Sequence, residues 1–432
     1  MDTIRFRSWP WTLAIMAAAV ISAAAPIPAA AQEVTTDDVA TSSRPLTLSE
    51  AIDRALKASP DLAVAQRELE ASEGAILQGG VRPNPVIAYL QQDTRQATRT
   101  TTLQLNQPIE LGGKRRARIE AGERGRDTAS VGLDVRRAEI RAAVTAAFFD
   151  VLVAQERLRL AQASVELAER ATGAASRRVI AGKISPVEET KARVAEAGMR
   201  LELTLAASEL TTTRRRLAAT WGSPTPRFEQ VEGDLDALPV LPVLTDLNTR
   251  LAASPAMLRA KIEVGRRQAL AEVERRQRMP NVTVSLGAQR NEELGLDQVI
   301  LGVSLPIPIF DRNQGNLLEA LRRTDKARDE RSAAEIRLSN DLAAAYERLK
   351  AVHQEVESLR RDILPGAQSA FDAATRGFEL GKFSFLEVLD AQRTLFQAKT
   401  QHLRALAEGH RAAAEIERVL GNASSVTLAV TP

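Results

Sequence analysis

The sequence has no cysteine and few aromatic residues. Zero cysteines among 432 residues exclude disulfides, thiolate metal sites and a lipid-bearing N-terminal cysteine. Aromatic residues make up 3% of the chain, which suits closely packed helices better than a large globular core. Lys plus Arg number 58 and Asp plus Glu 55, with the two signs interspersed. This balance is typical of a solvated helical surface and predicts no nucleic-acid partner.

After the N-terminus, the sequence contains no apolar run long enough to cross a bilayer as a helix. There, Arg5 and Arg7 precede an apolar run from Trp11 to about Ala25, and small residues follow up to Ala31. This pattern predicts a secretory signal peptide over residues 1–31. Because no later run approaches about 18 apolar residues, we expect an exported chain whose membrane insertion, if any, is by strands.

Catalytic motifs are also missing. The three histidines, His353, His402 and His410, fall on predicted helices and outside any His-Glu-x-x-His motif, and no Gly-x-Ser-x-Gly elbow occurs. We interpret the histidines as ordinary helix-surface residues. The sequence therefore predicts a protein that is not an enzyme and has neither a cofactor nor a metal site.

What the sequence does contain is a turn that occurs twice, at residues 181–188 and 380–387. Gly182 and Gly381 are 199 residues apart (381 − 182), and Lys, Ser and Glu recur at the same displacement. Each Gly is placed to end a helix in a left-handed conformation, and each Ser-x-x-Glu predicts a capping box that starts the next helix. The chain therefore predicts two helical hairpins in tandem, each with this turn at its tip.

The two halves repeat each other beyond the tips. Ser59-Pro60 returns as Ser254-Pro255, and Pro83-Asn84 returns as Pro280-Asn281. We predict a first repeat over residues 32–222, a linker over 223–244 and a second repeat over 245–432.

Heptad seams mark the long helices of both hairpins. One helix is predicted to end at about Ile180 and another to run from about Asn313 to Glu379. Apolar residues spaced four and three apart predict a packing seam in each. The first seam is Ile140, Val144, Ala147, Val151, Ala154, Leu158, Ala161, Val165 and Ala168; the second is Ala345, Leu349, Val352, Val356, Leu359 and Ile363.

Each repeat also contains a pair of predicted strands, at residues 86–109 and 281–305. Strands of about ten residues can cross a bilayer when tilted. A single four-stranded sheet cannot do so, because its edges would expose unpaired backbone groups to lipid. Three chains sharing one barrel would supply twelve strands (three times four), whereas the alternative is a small periplasmic sheet on a helical stalk. The predicted fold class is mainly α with a small β part.

The sequence resembles the TolC-type outer-membrane factors of tripartite efflux systems. The resemblance lies in the duplication, the opening Leu46-Thr47-Leu48-Ser49-Glu50-Ala51 and the run from Phe378 to Gln392. The stretch Gln107–Arg115 is most similar to the cobalt-zinc-cadmium resistance branch. The resemblance implies a homotrimer with a shared twelve-stranded outer-membrane barrel and a periplasmic helical tunnel. It also implies a periplasmic adaptor protein and an inner-membrane RND pump as partners.

The resemblance leads us to expect a passive exit duct for heavy-metal cations in the outer membrane. Drugs or proteins of type I secretion are the alternative cargoes. An exported coiled-coil structural or adhesin protein without a pore is the alternative of another class.

Two sets of residues are candidate sites. Glu387 and Asp390 lie on one helix face and match the family's acidic positions at the periplasmic entrance, so a trimer would place six carboxylates (three times two) around one axis as a cation-favouring constriction. The simpler interpretation is a capping box for Glu387 and a helix-dipole contact for Asp390; in the first copy Glu188 is expected to keep the cap, and Lys191 replaces the second acid. The second set lies at the tips and is expected to dock the adaptor protein. The simpler interpretation is that these residues only cap the helices. They are Gly182, Lys183, Ser185, Gly381, Lys382 and Ser384.

Overall fold

Helices make up most of the part of the chain that the computed structural model describes, residues 44–421 without the side chain of Phe385. The predicted signal peptide, residues 1–31, lies outside the described residues. None of the helices within residues 44–421 is both long enough and apolar enough to cross a membrane.

The elements follow the same order in two successive segments. In the first, β1 is Leu46–Thr47, α1 Leu48–Ala58, α2 Pro60–Gly80, β2 Val86–Gln92, β3 Thr100–Ile109, α3 Lys114–Ile180 and α4 Pro186–Ala219. After β4 at Val231–Glu232, the second has α5 Leu244–Ala252, α6 Pro255–Gln277, β5 Val282–Asn291, β6 Leu296–Ser304, α7 Gln314–Ser358, a π-helical turn Leu359–Ile363, α8 Leu364–Glu379 and α9 Phe385–Leu420.

The helix α3 is the packing centre of the fold. Its 67 residues correspond to about 100 Å at a rise of about 1.5 Å per residue. It contacts α2, α4, α6 and α9. The predicted seam is confirmed, since seven of its nine residues are buried and Ala147 and Leu158 are partly buried.

The second long helix differs from the prediction because it is interrupted. Pro365 lacks an N–H group, so it cannot bond the carbonyl four residues earlier; just before it, Leu364 N donates to Leu359 O, five residues back. This π-helical turn inserts one residue into the seam. Ile363, predicted to lie in the seam, is consequently exposed, and Leu364 and Ala367 pack toward α9 instead.

The segment between the halves is not a simple linker. Val231 in β4 pairs in parallel with Leu46 in β1. Gln155 of α3 donates from Nε2 to Val231 O (3.0 Å) and accepts from Val231 N (2.8 Å). Phe228 and Leu235 are also buried against α3 and its neighbours, so this segment connects β1 to the middle of α3.

The four longer strands form one antiparallel sheet in the order β2-β3-β5-β6. The two hairpins β2–β3 and β5–β6 therefore meet along the β3–β5 pair. The sheet lies at the ends of α2, α3, α6 and α7, because each strand adjoins one of these helices in the chain.

Candidate functional site

The second tip is a tightly hydrogen-bonded helix end. Gly381 has φ +73°, Lys382 N donates to Gly377 O (2.8 Å) and Gly381 N donates to Phe378 O (3.0 Å). These two bonds define a Schellman motif. Beyond it, Ser384 N donates to the Glu387 carboxylate (2.9 Å), and the Ser384 side chain completes the predicted capping box.

The first tip has the same helix end but a different start. Gly182 has φ +66°, and Lys183 N donates to Arg178 O (2.9 Å). The capping box expected at Ser185 and Glu188 does not form. Ser185 Oγ accepts from Val187 N instead (3.3 Å). The Glu188 carboxylate lies 3.2 Å from Lys191 Nζ and does not bond the backbone N–H of Ser185.

The two tips pack against each other within the chain. Ala175 and Ala192 from the first hairpin join Ala374, Phe378 and Val388 from the second in one apolar cluster. The tips therefore form one structural unit, and the predicted docking residues Lys183, Ser185, Lys382 and Ser384 are exposed on it.

Arg178 adds a polar clamp to this contact. Its guanidinium lies 4.0 Å from the centroid of the Phe378 ring, and Nη2 donates to Phe378 O (2.9 Å) and Glu379 O (3.3 Å). A cation over an aromatic face and at a helix C-terminus is favourable on both counts. The second copy has Gly377 at the corresponding position (178 + 199), so this clamp exists once.

The acidic pair has two different environments. Glu387 is engaged in the capping box of α9, where its carboxylate accepts from Ser384 N. Asp390 is exposed and lines a groove of about 870 Å³ between α4 and α9, together with Arg393 and Arg404. Within the described part of the chain the Asp390 carboxylate makes no hydrogen bond or ion pair; Thr394 Oγ1 donates to its main-chain oxygen (2.9 Å).

The sheet has an apolar and a mainly polar face. Cross-strand partners Ile87, Leu105, Leu286 and Leu301 form an apolar row across all four strands. Their side chains are 72, 45, 54 and 79% exposed, respectively, so nothing in the described chain covers this face. The opposite face carries Thr102, Gln104, Asn106, Ser285, Gln289 and Gln298, with Val86, Leu90, Leu296 and Ile300 as apolar exceptions. Such alternation is typical of a strand with lipid on one side and water on the other.

The histidines are not ordinary surface residues, which corrects the prediction. His410 is 2% exposed, stacks on Phe149 at 3.5 Å and has Nε2 3.1 Å from Leu235 O. His353 Nε2 lies 2.8 Å from Pro239 O, and His402 Nε2 lies 4.0 Å from Asp236. All three thus contact residues 235–239, a convergence that helical periodicity alone could not reveal.

Burial lowers the pKa of His410, more than its hydrogen bond to Leu235 and the charge of Asp234 raise it. Burial likewise lowers the pKa of His402; the positive charge of Arg360 lowers it further, and the negative charge of Asp236 raises it. These histidines do not gather into a metal centre: among the described residues, no three His, Cys, Asp or Glu side chains are grouped to hold a metal ion.

Solved structures with this arrangement of helices and strands show which class of fold the chain has. The chain superposes on CusC with a TM-score of 0.75 at 17% identity, covering 87% of this chain and 92% of that one. It superposes on VceC of Vibrio cholerae with a TM-score of 0.74 at 18% identity, covering 87% and 96%. The fold is therefore that of the outer-membrane channel proteins.

Sequence comparison gives the family. The family model described as outer membrane efflux protein matches residues 51–223 and again 247–422. The chain belongs to this family, which confirms the resemblance noted from the sequence. It is 49% identical over 377 residues to the cobalt-zinc-cadmium resistance protein CzcC of Cupriavidus metallidurans, covering 87% of this chain and 90% of that protein.

Proposed function

We propose that the chain is the passive outer-membrane duct of a tripartite efflux assembly and acts as a homotrimer. The observation that carries this proposal is the uncovered apolar face of a four-stranded sheet whose two outer strands have open edges. A lone sheet of this kind cannot reside in lipid, whereas a closed barrel can. Three chains supply the twelve strands, and the paired hairpins, duplicated from one ancestral repeat, form the periplasmic tunnel.

A matched pair of strand variants tests the barrel. Leu301→Arg places a charge on the apolar face, and Gln298→Arg places the same charge on the polar face of the same strand. An arginine facing lipid costs about 2–4 kcal/mol near the bilayer centre. We expect Leu301→Arg to deplete the chain from the outer-membrane fraction and abolish planar-bilayer conductance, and Gln298→Arg to retain both. If both variants remain in the outer-membrane fraction like the parent chain, and the parent chain does not conduct, the structural stalk without a pore is favoured.

The proposed cargo is heavy-metal cations. The support is the 49% identity to a cobalt-zinc-cadmium resistance protein. The energy would come from an inner-membrane RND pump, coupled through a periplasmic adaptor. A deletion strain should become sensitive to cobalt, zinc and cadmium and recover on complementation; sensitivity confined to drugs, or loss of an exported protein, would assign the alternative cargo.

The helical tips are the proposed adaptor surface. Their Lys and Ser side chains are exposed, while Gly182 and Gly381 adopt left-handed conformations in open space. The side-chain variants Lys183→Glu and Lys382→Glu leave the helix ends intact. We expect them to weaken adaptor capture by the purified trimer without changing its conductance. Unchanged capture would place docking elsewhere.

A further inference from the structure

A groove lies where the sheet meets the helices, between the end of α6 and the segment that joins β6 to α7. Its volume is about 570 Å³. Among the described residues that line it, four are arginines and none is acidic. The arginines are exposed, and we call this feature the arginine groove: Arg275, Arg276, Arg278 and Arg312.

The positive charge of the arginine groove is incompletely neutralised. Arg275 and Arg276 share one carboxylate partner, Glu272. Within residues 44–421, neither Arg278 nor Arg312 forms an ion pair with an acidic side chain. These two guanidinium groups are therefore available to an anionic ligand.

Two further acids lie beside the groove and are engaged with Asn313. Glu274 accepts from Asn313 Nδ2 (2.7 Å), and Asp311 accepts from Asn313 N (2.9 Å). With Glu272 included, three carboxylates adjoin four guanidinium groups. The local charge thus remains positive.

The first repeat shows that the helix end does not need these arginines. Pro83 and Pro280 follow the corresponding helices α2 and α6 and are 197 residues apart (280 − 83). At the same displacement, the three arginines near the end of α6 correspond to Gln78, Gly79 and Val81. A helix followed by a strand forms there from uncharged residues. The arginines are therefore a feature of the second repeat that the local fold does not require.

An exposed apolar stripe runs from the sheet to the arginine groove. Every second residue from 299 to 309 is apolar and exposed, although β6 ends at Ser304. Ile307 is 77% exposed, and Phe310, just beyond the stripe, is 90% exposed. Pro308, which lies between two residues of the stripe, lines the groove. The apolar face of the sheet is thus continuous with a basic site.

We propose that the arginine groove binds the phosphate of an anionic phospholipid, whose acyl chains lie along the apolar stripe. Guanidinium groups bind phosphate oxygens through paired, charge-assisted hydrogen bonds. A basic groove beside apolar residues matches an amphipathic lipid, whereas a free anion would use the groove alone. This inference rests on the proposed function, because a sheet in the outer membrane brings this junction to the lipid headgroups on the periplasmic side.

Lipid titration of the purified full chain tests this site. Native mass spectrometry of the detergent-solubilised protein counts bound lipid during titration with phosphatidylglycerol or phosphatidylcholine, and inorganic phosphate is added as a competitor. The groove variant is Arg278→Gln/Arg312→Gln. The matched control, Arg331→Gln/Arg337→Gln, removes the same charge from exposed positions of α7, about 25 Å or more along the helix from its start.

We expect the parent chain to bind phosphatidylglycerol more tightly than phosphatidylcholine. Each arginine removed from the groove should weaken phosphatidylglycerol binding by about fivefold, while the control variant binds like the parent. The stripe variant, Ile307→Ser/Phe310→Ser, should also bind this lipid more weakly, because the acyl chains lose apolar contacts. Added salt should reduce the preference for phosphatidylglycerol in the parent chain.

Equal affinity of the parent chain for the two lipids would overturn the inference, as would equal losses in the groove variant and the control. If inorganic phosphate displaces phosphatidylglycerol and the stripe variant binds like the parent, the groove is an anion site, which also overturns the inference. Any of these results in a chain that conducts in planar bilayers leaves the proposed function intact. A parent chain that neither reaches the outer membrane nor conducts overturns both.

Discussion

Arg178 couples the two tips through interactions that depend on its guanidinium group. The contact with the Phe378 ring depends on the positive charge of the guanidinium. The hydrogen bonds to Phe378 O and Glu379 O depend on its N–H groups. These partners lie 200 and 201 residues further along the chain. The sequence could not identify them, since an arginine near a helix C-terminus is explained equally well by the helix dipole alone.

Arg178→Ala is expected to loosen the tips relative to each other. Cation–π contacts are worth about 0.5–1 kcal/mol at partly exposed sites, and a hydrogen bond from a charged group contributes about 1.5–3 kcal/mol. We therefore expect local opening of residues 377–384 to become easier by about 1–2 kcal/mol after solvent screening, measured by amide hydrogen exchange. Arg177→Ala, at the exposed neighbouring position, is the control. Equal exchange in both variants would contradict the clamp.

The buried histidines make stability depend on pH. Burial lowers the pKa of His402 and His410 below the ordinary value of 6.5, so the unfolded chain binds more protons than the folded chain. The free energy of unfolding should therefore be highest above pH 6.5 and fall as the pH drops below it. Comparing melting temperatures between about pH 7.5 and pH 5 should show a smaller loss for His402→Gln/His410→Gln than for the parent chain. A parallel loss in both proteins would remove the histidines as the cause.

At the scale of elements, Gly377 is required by the ring of Phe383. A Cβ atom at Gly377 would lie 2.1 Å from this ring, whereas Gly366 in the same helix has open space. Gly377→Ala should expel the ring and increase hydrogen exchange across Leu380–Ser384, although alanine itself favours helix. Gly366→Ala should stabilise α8 by up to about 1 kcal/mol. If both substitutions stabilise the protein, the packing of the Phe383 ring does not require Gly377.

The elements themselves were largely predictable from sequence. Heptad spacing identified the long helices, and glycine followed by a Ser-x-x-Glu pattern located both tips, because these signals are local. The π-helical turn was signalled by Pro365 but not predicted, since a proline inside a periodic pattern shows where a helix is disturbed and not how. The ordered contacts of β4 with β1 and Gln155 join distant parts of the chain, and composition alone predicted only a linker.

The acidic pair was found by resemblance, but the structure separates its two members. Glu387 caps α9, and Asp390 faces the groove with a free carboxylate. Sequence spacing placed both on one helix face and could not distinguish them. The difference comes from the turn, which brings Ser384 N within 2.9 Å of Glu387.

At the scale of the proposed trimer, this difference predicts unequal effects on ion selectivity. Asp390→Asn should lower the preference of the reconstituted pore for cations while leaving the melting temperature unchanged, because it removes a charge without breaking a bond. Glu387→Gln weakens the capping box and should cost about 0.5–2 kcal/mol of helix stability, with a smaller change in selectivity. Reversal potentials in a salt gradient, measured beside melting curves, separate charge from capping. Because both residues would lie around one axis, repulsion among the carboxylates should also make the selectivity of the parent pore depend on ionic strength. If Asp390→Asn leaves the selectivity unchanged at low salt, Asp390 does not form the charged constriction of the proposed pore.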